Sequence, residues 1–425
     1  MSKNTLRIGA YPASSGCAYS PVVGNVLRNL RSVLDFRMPE RDAVTRRLTG
    51  SANVADMRRI ARRRLPRGVF DYIDGAAEDE RTMAANAAAF ERRTFVPRVL
   101  VDVTDVDAST TVLGKRLPFP LALAPTGFSR IAHSQGELSV ARAAAKAGLP
   151  YSLSTMSTRS IEEVAAVSNG PKWFQVYVWK DRGLMREGLA RAKAAGFTAL
   201  ALTVDVPVAG NRERDPKNRF TIPPKINMTT ALQVLSKPTW AYRLATSPRI
   251  TPANFDGVGG DHPGGIMGFI DSQFDRTVSW KDAGWLVEQW DGPVAIKGVM
   301  SASDARECLA IGAQGVWVSN HGGRQLDRVS ATIDALPEVV DAVGGRASVI
   351  FDGGVRRGTD ILTALALGAD GVAIGRAYLY GLGAGGEAGV SKALDILSTE
   401  LRRDMALLGV TRIAEITRGH VSRPR

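Results

Sequence analysis

The stretch Val349-Ile-Phe-Asp-Gly-Gly-Val-Arg-Arg-Gly-Thr-Asp-Ile-Leu-Thr-Ala-Leu-Ala-Leu-Gly-Ala-Asp-Gly-Val-Ala-Ile-Gly375 decides the fold. It opens on a short apolar run, Val349 to Asp352, and continues from Gly358 to Leu367 with apolar residues at helical spacing. Gly368 stops that helix, and a second apolar run follows at Val372 to Gly375. Strand, helix and strand in so few residues describe two parallel strands joined by a crossover helix. Both runs are apolar without alternation, as expected of strands covered on both faces.

The same unit repeats upstream. Further strands are expected at Leu121 to Ala124, Tyr151 to Thr155, Trp173 to Val178, Ala199 to Asp205, Val294 to Lys297 and Val316 to Ser319, which makes eight. Helices are expected at Gly136 to Ala147 and Ser303 to Ile311, with Gly148 and Gly312 as stops. Asp205 and Val294 are far apart, so an insertion, at about 213–280, must follow the fourth strand. Eight α/β units either close as a TIM-type (β/α)₈ barrel or open as a doubly wound sheet. The count of eight, with polar residues at nearly every strand end, favours the barrel, whose active sites lie at the C-terminal ends of the strands. Ahead of the barrel, at 119–425, residues 51–118 are expected to form a helical cap: Ala52 to Arg64, Gly68 to Gly75 and Glu78 to Phe90 read as helices. Residues 1–50 form a basic extension, less patterned and expected to be partly disordered.

Composition agrees with one large globular unit: 425 residues, 44% hydrophobic, with 43 glycines. The two cysteines, Cys17 and Cys308, give neither a disulfide framework nor metal-ligand spacing, so a reducing cytoplasm is expected and no metal. No apolar run is long enough to span a bilayer, and the first 25 residues lack the pattern of a secretory signal. The net charge of +13 is uneven, with 13 Lys/Arg against 4 Asp/Glu in residues 1–64. A solvated basic arm explains this as well as a nucleic-acid or membrane surface does, and no nucleic-acid-binding module accompanies it.

The chemistry gathers at the strand ends. The fourth strand ends in Thr203-Val-Asp205, the fifth in Lys297 and the sixth in Ser319-Asn-His-Gly-Gly-Arg324. On a barrel these ends meet at one mouth. A histidine beside a carboxylate is a general base, and an arginine close by suits a substrate carboxylate. A lone histidine at a strand end is more often structural, but the Gly-Gly after His321 implies a tight turn or close approach by a ligand. The glycines and arginines of 351–358 and 374–376, after the last two strands, form the usual phosphate position of such barrels. No Walker or dinucleotide fingerprint is present. Lys297 is either a fixed cation facing developing negative charge or a Schiff-base lysine, which leaves an aldolase open as the rival class. A flavin-binding scaffold without activity is the non-catalytic rival.

Ser319-Asn-His-Gly-Gly-Arg-Gln-Leu-Asp327 resembles the signature of the FMN-dependent 2-hydroxy-acid dehydrogenase and oxidase family. The resemblance extends from about Asp56 to Val421 and includes Phe70 to Asp79, Ala124 to His133, Gln175-Val-Tyr177, Thr203-Val-Asp205, Lys297-Gly298 and Asp352-Gly-Gly-Val-Arg356. It implies His321 as base with Asp205 as its partner, and Arg324, Tyr72 and Arg212 around the substrate carboxylate. Tyr177 would bond the substrate oxygen. For FMN it implies Pro125, Thr126, Gly127, Ser154, Gln175, Thr203, Lys297, Asp352 and Gly353, with Gly354, Arg356, Gly375 and Arg376 toward the phosphate. Met156 stands where glycolate oxidase has a tryptophan, so substrate preference does not carry over. The sequence is most similar in appearance to bacterial respiratory L-lactate dehydrogenases. L-Lactate is therefore the first substrate expected, with mandelate or another hydroxy acid second, and quinone or a cytochrome is expected as acceptor ahead of oxygen. Pro216 to Phe255 holds six Lys/Arg and no acidic residue, with Trp240 and Tyr242 among them. Such a segment suits an active-site lid or peripheral contact with the inner face of the cell membrane. Family resemblance further implies a homo-oligomer, commonly a tetramer.

Overall fold

In the computed structural model, which describes residues 40, 42–222, 228–255 and 265–422, the chain divides into two units, Met1–Arg46 and Arg47–Arg425. Among the described residues the first helices are α1 (Ala43–Thr49), α2 (Val54–Arg64), α3 (Arg67–Asp74) and α4 (Arg81–Glu91). Asn53 caps α2 by accepting from the Asp56 amide, and Val54, Met57 and Ala61 form its buried stripe. The expectations for residues 1–39 and 41 lie outside the described residues.

One expectation needs correction. Within the stretch read as a helical cap, Thr110–Val112 (β1) and Lys115–Leu117 (β2) form an antiparallel hairpin. Its turn side chain Leu113, with Val112 and Leu117, joins the barrel core and plugs the N-terminal end.

The barrel itself is closed, in the order β10-β3-β4-β5-β6-β7-β8-β9. Its strands are β3 (Leu121–Leu123), β4 (Tyr151–Ser154), β5 (Lys172–Val176), β6 (Ala199–Thr203), β7 (Val294–Val299), β8 (Gly315–Val318), β9 (Ser348–Phe351) and β10 (Gly371–Ile374). All adjacent pairs run parallel. Covering helices bury the outer faces and packed side chains the inner ones, which is why the strands read as continuous apolar runs. The interior is filled by Trp173 and Trp317, packed edge to face at 6.1 Å, among Ala122, Ala199, Ala201, Ala295, Ile350 and Ala373. Large rings against small methyls fill the barrel.

Strand alternation sets what lies above this layer. Two residues beyond Trp173, Ala201, Ala295, Trp317 and Ile350, on the same inner face, come Gln175, Thr203, Lys297, Ser319 and Asp352. The period that builds an apolar core therefore also delivers a polar layer to the C-terminal mouth.

After β6 come α8 (Arg214–Lys217), α9 (Met228–Leu235), α10 (Pro238–Ala245), α11 (Gly265–Gln273) and α12 (Trp280–Glu288), preceded in the chain by α5 (Glu137–Lys146), α6 (Ile161–Ala166) and α7 (Arg182–Ala194). The remaining helices are α13 (Ala302–Ala310), α14 (Thr332–Val343), α15 (Gly358–Ala366) and α16 (Arg376–Leu408). A break at Gly385 and Gly386 interrupts α16, along which α2 packs. No helix among the described residues is long and apolar enough to cross a membrane.

Candidate active site

At the C-terminal mouth lies a cavity of about 980 Å³. Its wall includes His321, Arg324, Tyr72, Tyr177, Arg212 and Lys297, drawn from separate elements, and on another side Pro125, Thr126, Gly127, Ser154, Asp352 to Gly354, Arg356, Gly375 and Arg376. Every site residue expected from sequence is on this wall except Asp205, Gln175 and Thr203. Asp205 stands behind His321, while Gln175 and Thr203 pair in register with the wall residues Ser154 and Lys297.

His321 Nδ1 is 2.9 Å from Asp205 Oδ1. Burial acts to raise the Asp205 carboxyl, but His321 and Lys297 nearby outweigh it and hold it below the usual carboxylate range. Asp205 is therefore ionised and accepts, so Nδ1 donates and Nε2 is the basic nitrogen. Close packing makes this pair possible: a Cβ on Gly298 would lie 2.7 Å from that of Asp205. That contact gives the glycine of the Lys297-Gly298 motif its physical reason.

Lys297 is fixed from below. Its Nζ donates to Ser319 Oγ at 2.8 Å and lies 3.5 Å from Asp352, whose other contacts are Ser319 Oγ at 2.7 Å and the Trp317 indole at 3.0 Å. Ser319 Oγ also accepts from the His321 amide at 3.1 Å. The lysine nitrogen is thus tied to a hydroxyl and a carboxylate rather than left free to attack, which weighs against Schiff-base chemistry. The sequence reading assigned Ser319 no role, although the motif containing it was the signal.

Arg324 donates to the carbonyls of Tyr72 and Gly75, and its guanidinium lies 5.1 Å from the Tyr72 ring centre, with Arg212 at 5.8 Å from the same ring. Neither arginine has a carboxylate within ion-pair distance among the described residues. Burial, then Arg212, pushes Arg324 down to about 9. Two guanidiniums held together, with Asp215 near both but paired to neither, prepare the mouth for an anion. Desolvation of the half-buried Tyr177, with Asp205 adding to it, raises its hydroxyl pKa and keeps it a neutral donor.

The residues also fit FMN. The buried Gln175 Nε2 and Thr203 Oγ1 have no hydrogen-bond partner within the protein, as expected of groups aimed at a polar ligand. Gly353 (φ 110°) and Gly354 (φ 83°) turn the backbone after β9 beside Arg356, and Arg376 follows β10, a concentration of donors suited to a phosphate.

The insertion supplies cavity residues that the strand-end reading missed: Phe220, Ile222, Met267, Asp271, Phe274 and Arg276. Phe274 packs on Tyr177 at 5.3 Å. Met267 and Phe274, with Met156, give the cavity an apolar part, while Phe220 packs on Tyr72 at 5.4 Å.

A closed barrel with a carboxylate-oriented histidine, an anion clamp and a phosphate end defines a flavin enzyme acting on a small acid. The chain matches the FMN-dependent dehydrogenase family over residues 61–423 and belongs to it. It oxidises a 2-hydroxy acid with FMN as cofactor. Among its relatives, an L-lactate dehydrogenase of Caulobacter vibrioides is 47% identical over 86% of this chain and 96% of its own. Glycolate oxidase 1 of Zea mays is 46% identical over 87% and 95%. The crystal structure of a monotopic membrane protein, (S)-mandelate dehydrogenase, superposes with a TM-score of 0.83 at 38% identity, covering 88% of this chain and 99% of that one.

Proposed function

We propose that this enzyme oxidises L-lactate to the 2-oxo acid and passes the electrons to quinone or a cytochrome at a membrane surface. The reading rests first on the His321–Asp205 pair facing the same cavity as Arg212 and Arg324. Arg324 and Arg212 bind the substrate carboxylate, and Tyr72 closes over it. Tyr177 donates to the substrate oxygen. His321 Nε2 takes a proton from the substrate as two electrons leave its C2, and the Asp205 carboxylate stabilises the imidazolium that results. Bound FMN supplies the two-electron sink, and Gln175, Thr203, Lys297, Arg356 and Arg376 would hold it. Lys297 keeps a positive charge where negative charge accumulates.

A second substrate reading has its own support. The wall of Met156, Met267 and Phe274 is apolar and partly aromatic, which suits the phenyl group of mandelate as well as the methyl group of lactate. The membrane reading draws on the exposed Leu232, Leu235 and Tyr242 of α9 and α10, set beside Lys237 and Arg243. Anaerobic mixing of the yellow protein with a panel of L-2-hydroxy acids tests substrate and activity together. Bleaching fastest with lactate is expected; fastest with mandelate selects the second reading, and no bleaching by any member refutes the activity. Reoxidation by a short-chain quinone at least tenfold faster than by air is expected, and rapid peroxide formation in air would make the enzyme an oxidase.

A further inference from the structure

Away from the active site, three arginines and a histidine converge with no acidic residue among them. Arg64 ends α2, Arg130 and His133 lie in the loop after β3, and Arg243 comes from α10; together with Ser134 and Thr239 they line a small cleft. Arg64 spends only its Nε, on the Gly383 carbonyl at 3.3 Å. Arg130 is 6% exposed and reaches the carbonyls of Pro248 and Arg249 with its two terminal nitrogens, while its buried Nε has no partner. None of the three has a carboxylate within ion-pair distance among the described residues. The wall is firm, because the Trp240 indole of α10 donates to the Ile131 carbonyl at 2.7 Å.

We propose that this cleft binds a phosphate group. Like charges so placed repel and are partly desolvated. Burial, with Arg47 and Arg243 adding to it, brings Arg64 down to about 10, and burial, with Arg243 and Arg64, brings His133 down to about 4. A multiply charged tetrahedral anion removes the repulsion and accepts from several guanidinium N–H groups at once, as a small monoanion would do less completely. The cofactor's phosphate end is a different place, built from Gly354, Arg356, Gly375 and Arg376. Two sources carry the same chemistry. Free phosphate is one; the other is the headgroup of an anionic phospholipid, because Arg62 and Arg63 are exposed on α2, the half-buried Lys237 precedes α10, and Leu232, Leu235 and Tyr242 are exposed on α9 and α10. The site does not depend on the membrane reading, since free phosphate fills it equally.

The test uses FMN-loaded protein with ¹³C-labelled histidine, in which only four ring signals need assignment. Inorganic phosphate, titrated at constant ionic strength against chloride, is expected to move the His133 signal saturably and to raise its titration midpoint, because a bound anion favours the imidazolium. R64Q/R243Q should abolish that response, whereas R62Q/R63Q, with the same loss of charge outside the cleft, should keep it. Flavin content and substrate bleaching like those of the parent establish that both variants are folded. A His133 signal indifferent to phosphate, or an equal response in R64Q/R243Q, overturns the proposal. Co-sedimentation with phosphatidylglycerol vesicles then identifies the source. Both variants lose surface attraction to an anionic vesicle, so a loss in R64Q/R243Q at least fivefold beyond that in R62Q/R63Q supports the lipid headgroup, and a saturable phosphate response with equal losses supports the free anion. Failure to bind any vesicle would refute the membrane reading while leaving the phosphate response intact.

Discussion

His321 sits at φ 55°, followed by Gly322 at 64° and Gly323 at 77°, a run of left-handed backbone costing on the order of 1–3 kcal/mol at the histidine. The turn lets the imidazole face the cavity while its Nδ1 reaches Asp205. His321→Ala should keep FMN bound and slow substrate-driven reduction by about 10²–10⁴-fold, read by anaerobic stopped flow. Unslowed bleaching would remove the histidine from its role. Arg324→Lys loses the planar fork, and a charge-assisted bond worth about 1.5–3 kcal/mol goes with it, so kcat/KM should fall about 10–100-fold in steady-state assays. At this scale the sequence was informative wherever a residue stood at a strand end, because alternation and parallel register bring such residues to one mouth. It was silent on Phe274 and Met267, whose place depends on how the insertion folds back. No local pattern encodes that path.

The strands were readable because every one is buried on both faces, and each observed strand ends within two residues of the expected run. The hairpin β1–β2 was not, since two strands of three residues give too short a period to detect, and Leu113 in its turn looks like any loop residue. One ion-pair hub joins elements distant in sequence. Asp74 of α3 receives Arg58 of α2 at 2.6 Å, Arg214 of α8 at 3.2 Å and the Tyr380 hydroxyl of α16 at 2.7 Å. Burial opposes the charge, but Arg58 and Tyr380, with Arg214, hold the Asp74 carboxyl down at about 2. Because the folded value lies below the unfolded one, near 3.8, the unfolded chain binds the proton more readily as pH falls. The contribution, about 2 kcal/mol, is present above pH 4 and fades toward pH 2. Asp74→Asn should therefore lower the urea midpoint at pH 7, and the two proteins should converge as the pH approaches 2. A difference that persists undiminished at low pH would assign the loss to packing. Since α3 carries Tyr72 and the loop before α8 carries Arg212, the same variant should raise KM for the hydroxy acid more than it lowers kcat.

For the molecule as a whole, the net charge of +13 and the acid-free segment from Pro216 to Phe255 set the terms of association with a surface. Leu232, Leu235 and Tyr242 are 76%, 71% and 71% exposed, three large apolar side chains facing water on two adjoining helices. Their exposure is independent of the cavity, because none of the three lines it. Replacing all three by Ser removes roughly 1.5–3 kcal/mol of transfer free energy per side chain if each enters the lipid interface fully. Partial burial makes a loss of about tenfold to a hundredfold in vesicle affinity the reasonable expectation. Turnover with a soluble dye acceptor should be unchanged, since the proton-abstracting pair and the anion clamp are untouched. Turnover with a long-chain quinone dissolved in the vesicles should fall in proportion to the bound fraction, because such an acceptor meets the flavin only at the bilayer. Equal losses with dye and quinone would show that the three side chains support the lid rather than a lipid contact. Unaltered vesicle binding would leave the bilayer without a role for α9 and α10.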